Sequence, residues 1–298
     1  MQLTLTTAPA TDPVTLAEVR TWLNMTPGIV EDNGVIEDLI DTAYDELEAF
    51  TNRHFLEQTW TLTLDWSEVS NDIRLPLVPL ISVSSIKTTD DDGDVTTVTS
   101  TNYQVRAGAN PRIILTANGE WPSDARDYDS MAIACVCGYG GDVVPYVGWV
   151  PNSTTSPGEN DLTAGGTFAG TARTLFDVEV DSIGAPDTFK WRKTTRDANG
   201  VKTVGAWTAG VDMTGLAQTL ADGTTVTFAA VNSHTVGDAW TVQLYEVLPE
   251  RVRLALKGLV LFFYSTKGRG IQETVSGQLI GLPRQLERRI DSLRVEAW

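Results

Sequence analysis

The chain is short of soft metal ligands. Its 298 residues include two cysteines and two histidines, too few for a disulfide scaffold or a multi-ligand soft-metal cluster. Basic side chains are also scarce: 22 Lys and Arg stand against 39 Asp and Glu, for a formal net charge of −17. That balance argues against a protein that grips nucleic acid by neutralising phosphates over its whole surface. Long apolar runs are missing too, since the longest strongly apolar stretch is Leu259 to Tyr264, far short of a membrane span. The opening MQLTLTTAPATDP has neither a basic n-region nor an apolar h-region, so no secretory leader is expected and the sequence predicts a soluble chain made in cytoplasm.

What is present is enough for a folded protein. Hydrophobic residues make up 42% and charged residues 20% of the chain, room for a real core in one large domain or two modest ones. The charge is unevenly spread. From Pro249 to Trp298 nine basic residues face five acidic ones, a local net of +4, which leaves −21 on residues 1–248. A cationic end on an anionic body marks a candidate docking segment.

Local patterns divide the chain. Thr15-Leu-Ala-Glu18 fits a capping box and opens a short helix carrying Leu16, Val19 and Leu23, which stops before Pro27-Gly28. A longer helix is expected from Val35 to Thr51. Ile36, Leu39, Ile40, Ala43, Leu47 and Phe50 form its apolar stripe, and Glu37, Asp38, Asp41, Asp45, Glu46 and Glu48 its opposite face. The period then changes to two: Trp60, Leu62, Leu64 and Trp66 alternate with polar neighbours, as in a half-buried strand. Pro76 and Pro79 force extended, edge-like backbone across Ile73–Val83. The run Asp90-Asp-Asp-Gly-Asp94 reads as a hairpin tip, because Gly93 and the missing downstream Glu break a calcium-loop register. Tyr103–Arg106, Arg112–Leu115 and Met131–Gly138 complete a small β unit. Cys135 and Cys137 would share one face of its last strand as small packing residues.

From Pro151 the composition shifts to Thr and Gly. Short alternating segments at Phe176–Val180, Thr188–Trp191, Gln218–Phe228 and Gly237–Val242 predict an inserted β-sandwich, with a hairpin turning at Asp222-Gly223. Helix returns after Pro249, where Leu259–Tyr264 is apolar nearly all round and so predicts burial on several sides. Pro283 opens a last helix with Leu286, Ile290 and Leu293 on one face and Arg284 and Arg288 on another.

No catalytic pattern stands out. A Ser-His-Asp or Cys-His site needs His54 or His234, and neither neighbours a nucleophile in a G-x-S-x-G context. Gly138-Tyr-Gly-Gly141 lacks the Lys-Ser/Thr and the helix start of a phosphate loop. The expectation is a protein with no enzymatic activity, no cofactor and no metal site.

The order of elements carries more than any motif. Pro13–Glu18, the acidic helix ending Tyr44–Thr51, the strand Gln58–Leu62 and the run Ile73–Val83 resemble the opening of tailed-phage head-tail connector (adaptor, head-completion) proteins. Gly138–Gly141 with Val144-Pro145 is similar to that family's exit from its sheet toward a long helix ending in an aromatic, here Phe262–Tyr264. The close from Leu282-Pro283 to Val295 is similar to its C-terminal segment. The likeness spans about residues 1–145 and 248–298.

The resemblance implies an α+β fold: a helical connector core with a small β-sheet unit, discontinuous over residues 1–147 and 248–298, plus an inserted all-β, immunoglobulin-like sandwich at 148–247. It implies a structural role as an adaptor ring subunit, one of about twelve, bound below the portal protein and meeting a tail-side neck protein. DNA would pass through without sequence-specific binding, and no membrane is involved. The location would be the neck of a virion, with assembly in host cytoplasm. Two sets of residues carry these expectations. Asp38, Asp41, Asp45 and Glu48 would form an acidic channel face that repels phosphate. Arg284, Leu286, Arg288, Ile290, Leu293 and Trp298 would dock on the portal or a neighbouring subunit. The competing reading is a carbohydrate- or host-binding adhesin that uses Trp191, Trp207 and Trp240 of the sandwich.

Overall fold

The computed structural model describes residues 1–25, 31–150, 158–197, 200–266 and 283–294. Trp298, Gly268–Gly270 and most of the linker-like stretch after Pro151 lie outside these residues. Among the described residues strands take up 39% and helices 20%, in four sheets. The expected helical connector core is therefore overturned: the fold is predominantly β with a few helices. The amphipathic stripes do fold as helices, but as single elements beside sheets rather than as a bundle. The chain divides into two compact units, described in turn.

The first unit comprises Met1–Ala8, Glu48–Gly141 and the residues from Leu293. Its strands are β1 (Gln2–Thr7), β2 (Gln58–Leu64), β3 (Asp72–Arg74), β4 (Leu80–Thr89), β5 (Val95–Thr97), β6 (Tyr103–Arg106), β7 (Arg112–Leu115) and β8 (Met131–Cys137). They form an antiparallel sheet in the order β1-β2-β8-β4-β5 and a smaller sheet, β3-β7-β6. Alternation in β8 buries Met131, Ile133, Cys135 and Cys137 together, as its sequence predicts. These side chains join Leu62, Leu64, Ile86, Ile73 and Ile113 in one core shared by both sheets. Burial pushes the Cys135 thiol up to about 12 and raises that of Cys137 as well, so both behave as inert apolar groups. Pro76 and Pro79 fall between β3 and β4, outside the ladders. The acidic run is a hairpin tip, with Gly93 at φ +87° and its N–H donating to the Asp90 carbonyl.

Gly138 ends β8 at φ +118°, and a Cβ there would lie 2.4 Å from the Leu56 carbonyl oxygen. Both the left-handed backbone and the close approach require glycine. Gly138→Ala is expected to destabilise this unit by about 3 kcal/mol, read as a lower denaturant midpoint with an unchanged slope.

The second unit comprises Pro9–Leu47 and Asp142–Ser292. Its strands are β9 (Val143–Val150), β10 (Leu162–Gly166), β11 (Arg173–Ser182), β12 (Thr188–Arg196), β13 (Lys202–Val204), β14 (Thr208–Asp212), β15 (Gln218–Thr219), β16 (Thr224–Phe228) and β17 (Ala239–Glu246). One sheet runs β13-β12-β11-β17-β9, with β14 also pairing β12, and the other runs β10-β16-β15. Val144 and Pro145 lie in β9, opposite Tyr245 and Leu244. Proline is accommodated there because β9 is a sheet edge and loses no ladder bond. The β15–β16 turn has Asp222 at φ +51° and Gly223 at φ +78°, the two positive φ values of the hairpin turn its sequence predicts. Phe176, Val178, Val180, Phe189, Phe228 and Trp240 fill the space between the two sheets.

Four α-helices are present among the described residues: α1 (Leu16–Trp22), α2 (Asn33–Thr51), α3 (Glu250–Thr266) and α4 (Arg284–Asp291). The Thr15–Glu18 capping box forms as predicted. In α2, Ile36, Ile40, Ala43 and Leu47 are buried at helical spacing. Burial of α3 is narrower than its composition suggests, since Leu259, Val260 and Phe263 are buried but Leu261 is exposed. None of these helices is long and apolar enough to cross a membrane.

Candidate interface site

Charge organises the outer face of the larger sheet in the second unit. On β11 the even-numbered side chains Thr174, Phe176, Val178 and Val180 are buried, so the odd-numbered ones project to the other side. The register sets Glu179 opposite Lys190 and Asp177 opposite Arg192. Both pairs close as ion pairs, at 2.9 and 2.7 Å. At the end of the ladder the rule breaks: Arg173 stands directly opposite Arg196. Like charges at facing positions destabilise a sheet, so this end of the ladder needs an outside counter-charge.

The acidic face of α2 supplies it. Asp41 accepts from Arg173 Nη2 at 2.5 Å with one oxygen and from Arg196 Nη1 at 2.8 Å with the other. Glu37 accepts from Arg196 Nη2 at 2.6 Å and from Lys202 Nζ at 3.2 Å. On the other flank, Asp12 accepts from Arg173 Nε at 2.6 Å and from the Gln243 amide at 2.6 Å. Gln243 in turn accepts from the Leu16 N–H at the start of α1, at 2.9 Å. Three carboxylates thus meet three cations, and most of the participants are largely shielded from water. Burial works against the charge on Arg173. Asp12 and Asp41 outweigh it and raise the guanidinium pKa above its ordinary value.

The expected acidic channel residues therefore occupy different settings. Asp41 is held inside the network. Asp38 is 80% exposed and stands 3.9 Å from Arg196. Asp45 is exposed and borders the same polar cleft, together with Tyr44 and Gly200. Glu48 belongs to the first unit and turns back on its own chain. Its carboxylate accepts from the Phe55 N–H at 2.8 Å and lies 3.2 Å from His54 Nδ1. That contact, with the His54 ring 5.3 Å from Trp60, accounts for a histidine just past the end of α2.

The C-terminal candidates divide in a similar way. Ile290 and Leu293 are buried, and Leu286 is half-buried. Leu286 lies on α3, where a Cβ at Gly258 would come within 2.8 Å of its Cδ1. Arg284, Arg288 and Arg289 are exposed. The three candidate sugar-binding tryptophans differ in setting: Trp240 is fully buried, Trp191 packs on the sandwich core, and Trp207 is exposed but flanked by Lys190 and Arg192 at 4.9 and 4.6 Å from its ring centre. Among the described residues no cluster of His, Cys, Asp and Glu has the arrangement of a metal site.

A solved chain with this architecture occurs in the neck of an empty gene transfer agent particle, computed with C6 symmetry. The alignment covers 100% of this chain and 97% of that one, with a TM-score of 0.52 and 13% identity. The two chains share a fold. A chain from the virion of a native gene transfer agent particle matches over the same shares, with a TM-score of 0.50 and 13% identity. No protein-family model and no curated protein matches the sequence.

Sequence reasoning missed Asp12, Arg173, Arg196, Lys202 and Gln243. The signal was present as a period-two charge pattern on β11 and β12, but the unmatched Arg173–Arg196 pair appears only once the strand register is known.

Proposed function

We propose that this chain is a structural subunit of a particle neck, an adaptor that assembles into a ring between head and tail and has no catalytic role. The observation that carries the reading is the fold likeness to a gene transfer agent neck chain over 100% of this chain and 97% of that one. In this reading the ring is a homo-oligomer of about twelve copies that meets the portal protein on one side and a tail-side neck protein on the other. DNA passes through without sequence-specific binding. Asp38 and Asp45, the outward-facing members of the acidic set, present carboxylate to it and keep phosphate from sticking. The portal or neighbour contact is assigned to the outer arginines of α4, Arg284 and Arg288, because Ile290 is already buried within the chain.

An exposed sheet edge supports self-assembly. All six residues of β1 are exposed, and among the described residues the strand pairs only β2. Leu3 faces Leu62 and Leu5 faces Trp60, so the apolar face of the sheet continues onto an exposed edge strand. Gln2–Thr7 carries neither Lys nor Pro, the usual guards of an open edge. In the ring this edge is covered by the next copy. Purified protein mixed with portal-bearing heads should add a ring-shaped collar in negative stain. The double variant Leu3→Asp/Leu5→Asp should fold but sediment as a monomer and leave the heads bare. A collar of unchanged appearance from that variant rules out the β1 contact, and no collar from the unaltered chain rules out the adaptor reading.

A further inference from the structure

His234 lies in the connection between β16 and β17, and its side chain is completely buried. Each ring nitrogen faces a carboxylate: Nδ1 is 3.0 Å from Asp187 Oδ2 and Nε2 is 3.1 Å from Asp161 Oδ1. Carboxylate oxygens only accept, so two such contacts require an N–H on both nitrogens, and that is the imidazolium. The other carboxylate contacts are already used. Asp187 Oδ1 accepts from the Gly184 N–H at 2.7 Å, and Oδ2 also accepts from the His234 N–H at 3.1 Å. Asp161 Oδ2 accepts from the Ala230 N–H at 2.5 Å. Phe228 and Trp240 wall the ring, with centroids 5.5 and 6.4 Å away. Asp238, buried at the head of β17, is the remaining ionisable group of this loop and accepts from the Gly158 N–H.

We propose that this end of the sandwich is closed by a proton-dependent latch, in which the His234 imidazolium joins its two sheets. Asp161 immediately precedes β10 of the three-stranded sheet, and Asp187 immediately precedes β12 of the six-stranded one. A single proton on the ring therefore decides whether both carboxylates, one beside each layer, are held at this end. Loss of that proton turns one contact into a lone pair against a carboxylate and leaves that buried acid without its counter-charge. The lower limit comes from the acids. Burial works to raise the Asp187 carboxyl, but the N–H groups of Gly184 and His234 and the imidazole ring together hold it below the ordinary carboxylate value. A carboxyl with a depressed folded pKa stabilises above its unfolded value, and that contribution is lost as pH falls through the folded one. The latch thus holds while both ring nitrogens carry a proton, weakens once one of those protons is lost at higher pH, and fails again in strong acid. On opening it frees the loop before β17 and bares Phe228 and Trp240. It does not depend on the neck assignment.

Asp161→Asn separates this latch from ordinary histidine burial. In that variant the neutral imidazole is fully satisfied, its Nδ1–H donating to Asp187 and its Nε2 accepting from the new side-chain amide. The full-length chain should lose about 5 °C of melting temperature between mildly acidic and alkaline pH, and Asp161→Asn should remove most of that slope. His54 is present in both proteins, so its contribution cancels in the comparison. A second reading avoids any folding defect of the variant: 15N-labelled histidine in the unaltered chain should report both His234 nitrogens protonated at mildly acidic pH, with His54→Gln assigning the signals. Equal pH slopes in the two proteins, or a neutral His234 ring under those conditions, would overturn the proposal.

Discussion

Arg173→Met is expected to destabilise the second unit by about 3 kcal/mol, among the largest effects of any single charged residue in the chain. The side chain joins Asp12 to Asp41 and so ties the segment before α1, the acidic face of α2 and the first residue of β11. Methionine keeps much of the apolar stem but leaves two poorly solvated carboxylates that have lost one partner each. Gln243 and Arg196 still serve those acids, which holds the figure below the upper end of the range for a broken buried pair. Arg173→Lys should recover less than half of the loss, because a point ammonium cannot donate to both acids in the fork geometry of guanidinium. Adding Asp12→Asn to Arg173→Met should recover part of it by removing one stranded charge. The comparison is Lys190→Met, whose pair with Glu179 is about one-third exposed and is expected to contribute less than about 1 kcal/mol. Urea unfolding read as the shift in midpoint measures all four. An Arg173→Met midpoint as close to the unaltered chain as that of Lys190→Met would mean that the network contributes little to stability.

Local chemistry in this sequence is legible wherever one residue type answers one geometric need. The Thr15–Glu18 capping box, the Asp222-Gly223 turn, the β8 alternation and the α2 stripe all appear where the pattern sets them. The weight of β structure was less visible. β1, β10 and β13 are short, and a strand of three to six residues has too few periods to stand out from a Thr-rich background. β9 was hidden by Pro145, which reads as an exit from the sheet until the strand is known to lie at an edge. The conspicuous amphipathic helices therefore drew the fold class toward a helical core. The site was half legible. The acidic face of α2 is plain in the sequence, but what it meets is set by contacts more than 130 residues away. A carboxylate stripe looks the same whether it faces water, DNA or arginine. Only the β11–β12 register, with two arginines face to face, identifies arginine as the partner of Glu37 and Asp41.

Trp240→Ala is expected to cost about 4 kcal/mol. Among the described residues Trp240 is the largest fully buried side chain. It packs edge-on against Phe228 at 5.4 Å, and its indole N–H donates to Asn160 Oδ1 at 3.0 Å. Truncation leaves a cavity between two sheets whose strands cannot collapse without breaking the β11–β17 and β17–β9 ladders on either side. It also strands the Asn160 amide oxygen and removes one wall of the His234 site. Trp207→Ala is the contrasting change. That ring is 38% exposed and flanked by Lys190 and Arg192, so its loss should cost no more than about 1 kcal/mol. The pair also tests the adhesin reading, since a sugar-binding platform needs an exposed aromatic face, and cations already stand over the Trp207 ring. Thermal unfolding of the two variants, alongside a glycan-binding assay, separates the possibilities. A core role predicts a large loss of stability for Trp240→Ala and no glycan binding lost for Trp207→Ala. Loss of glycan binding by Trp207→Ala at unchanged stability would instead make the sandwich a recognition module.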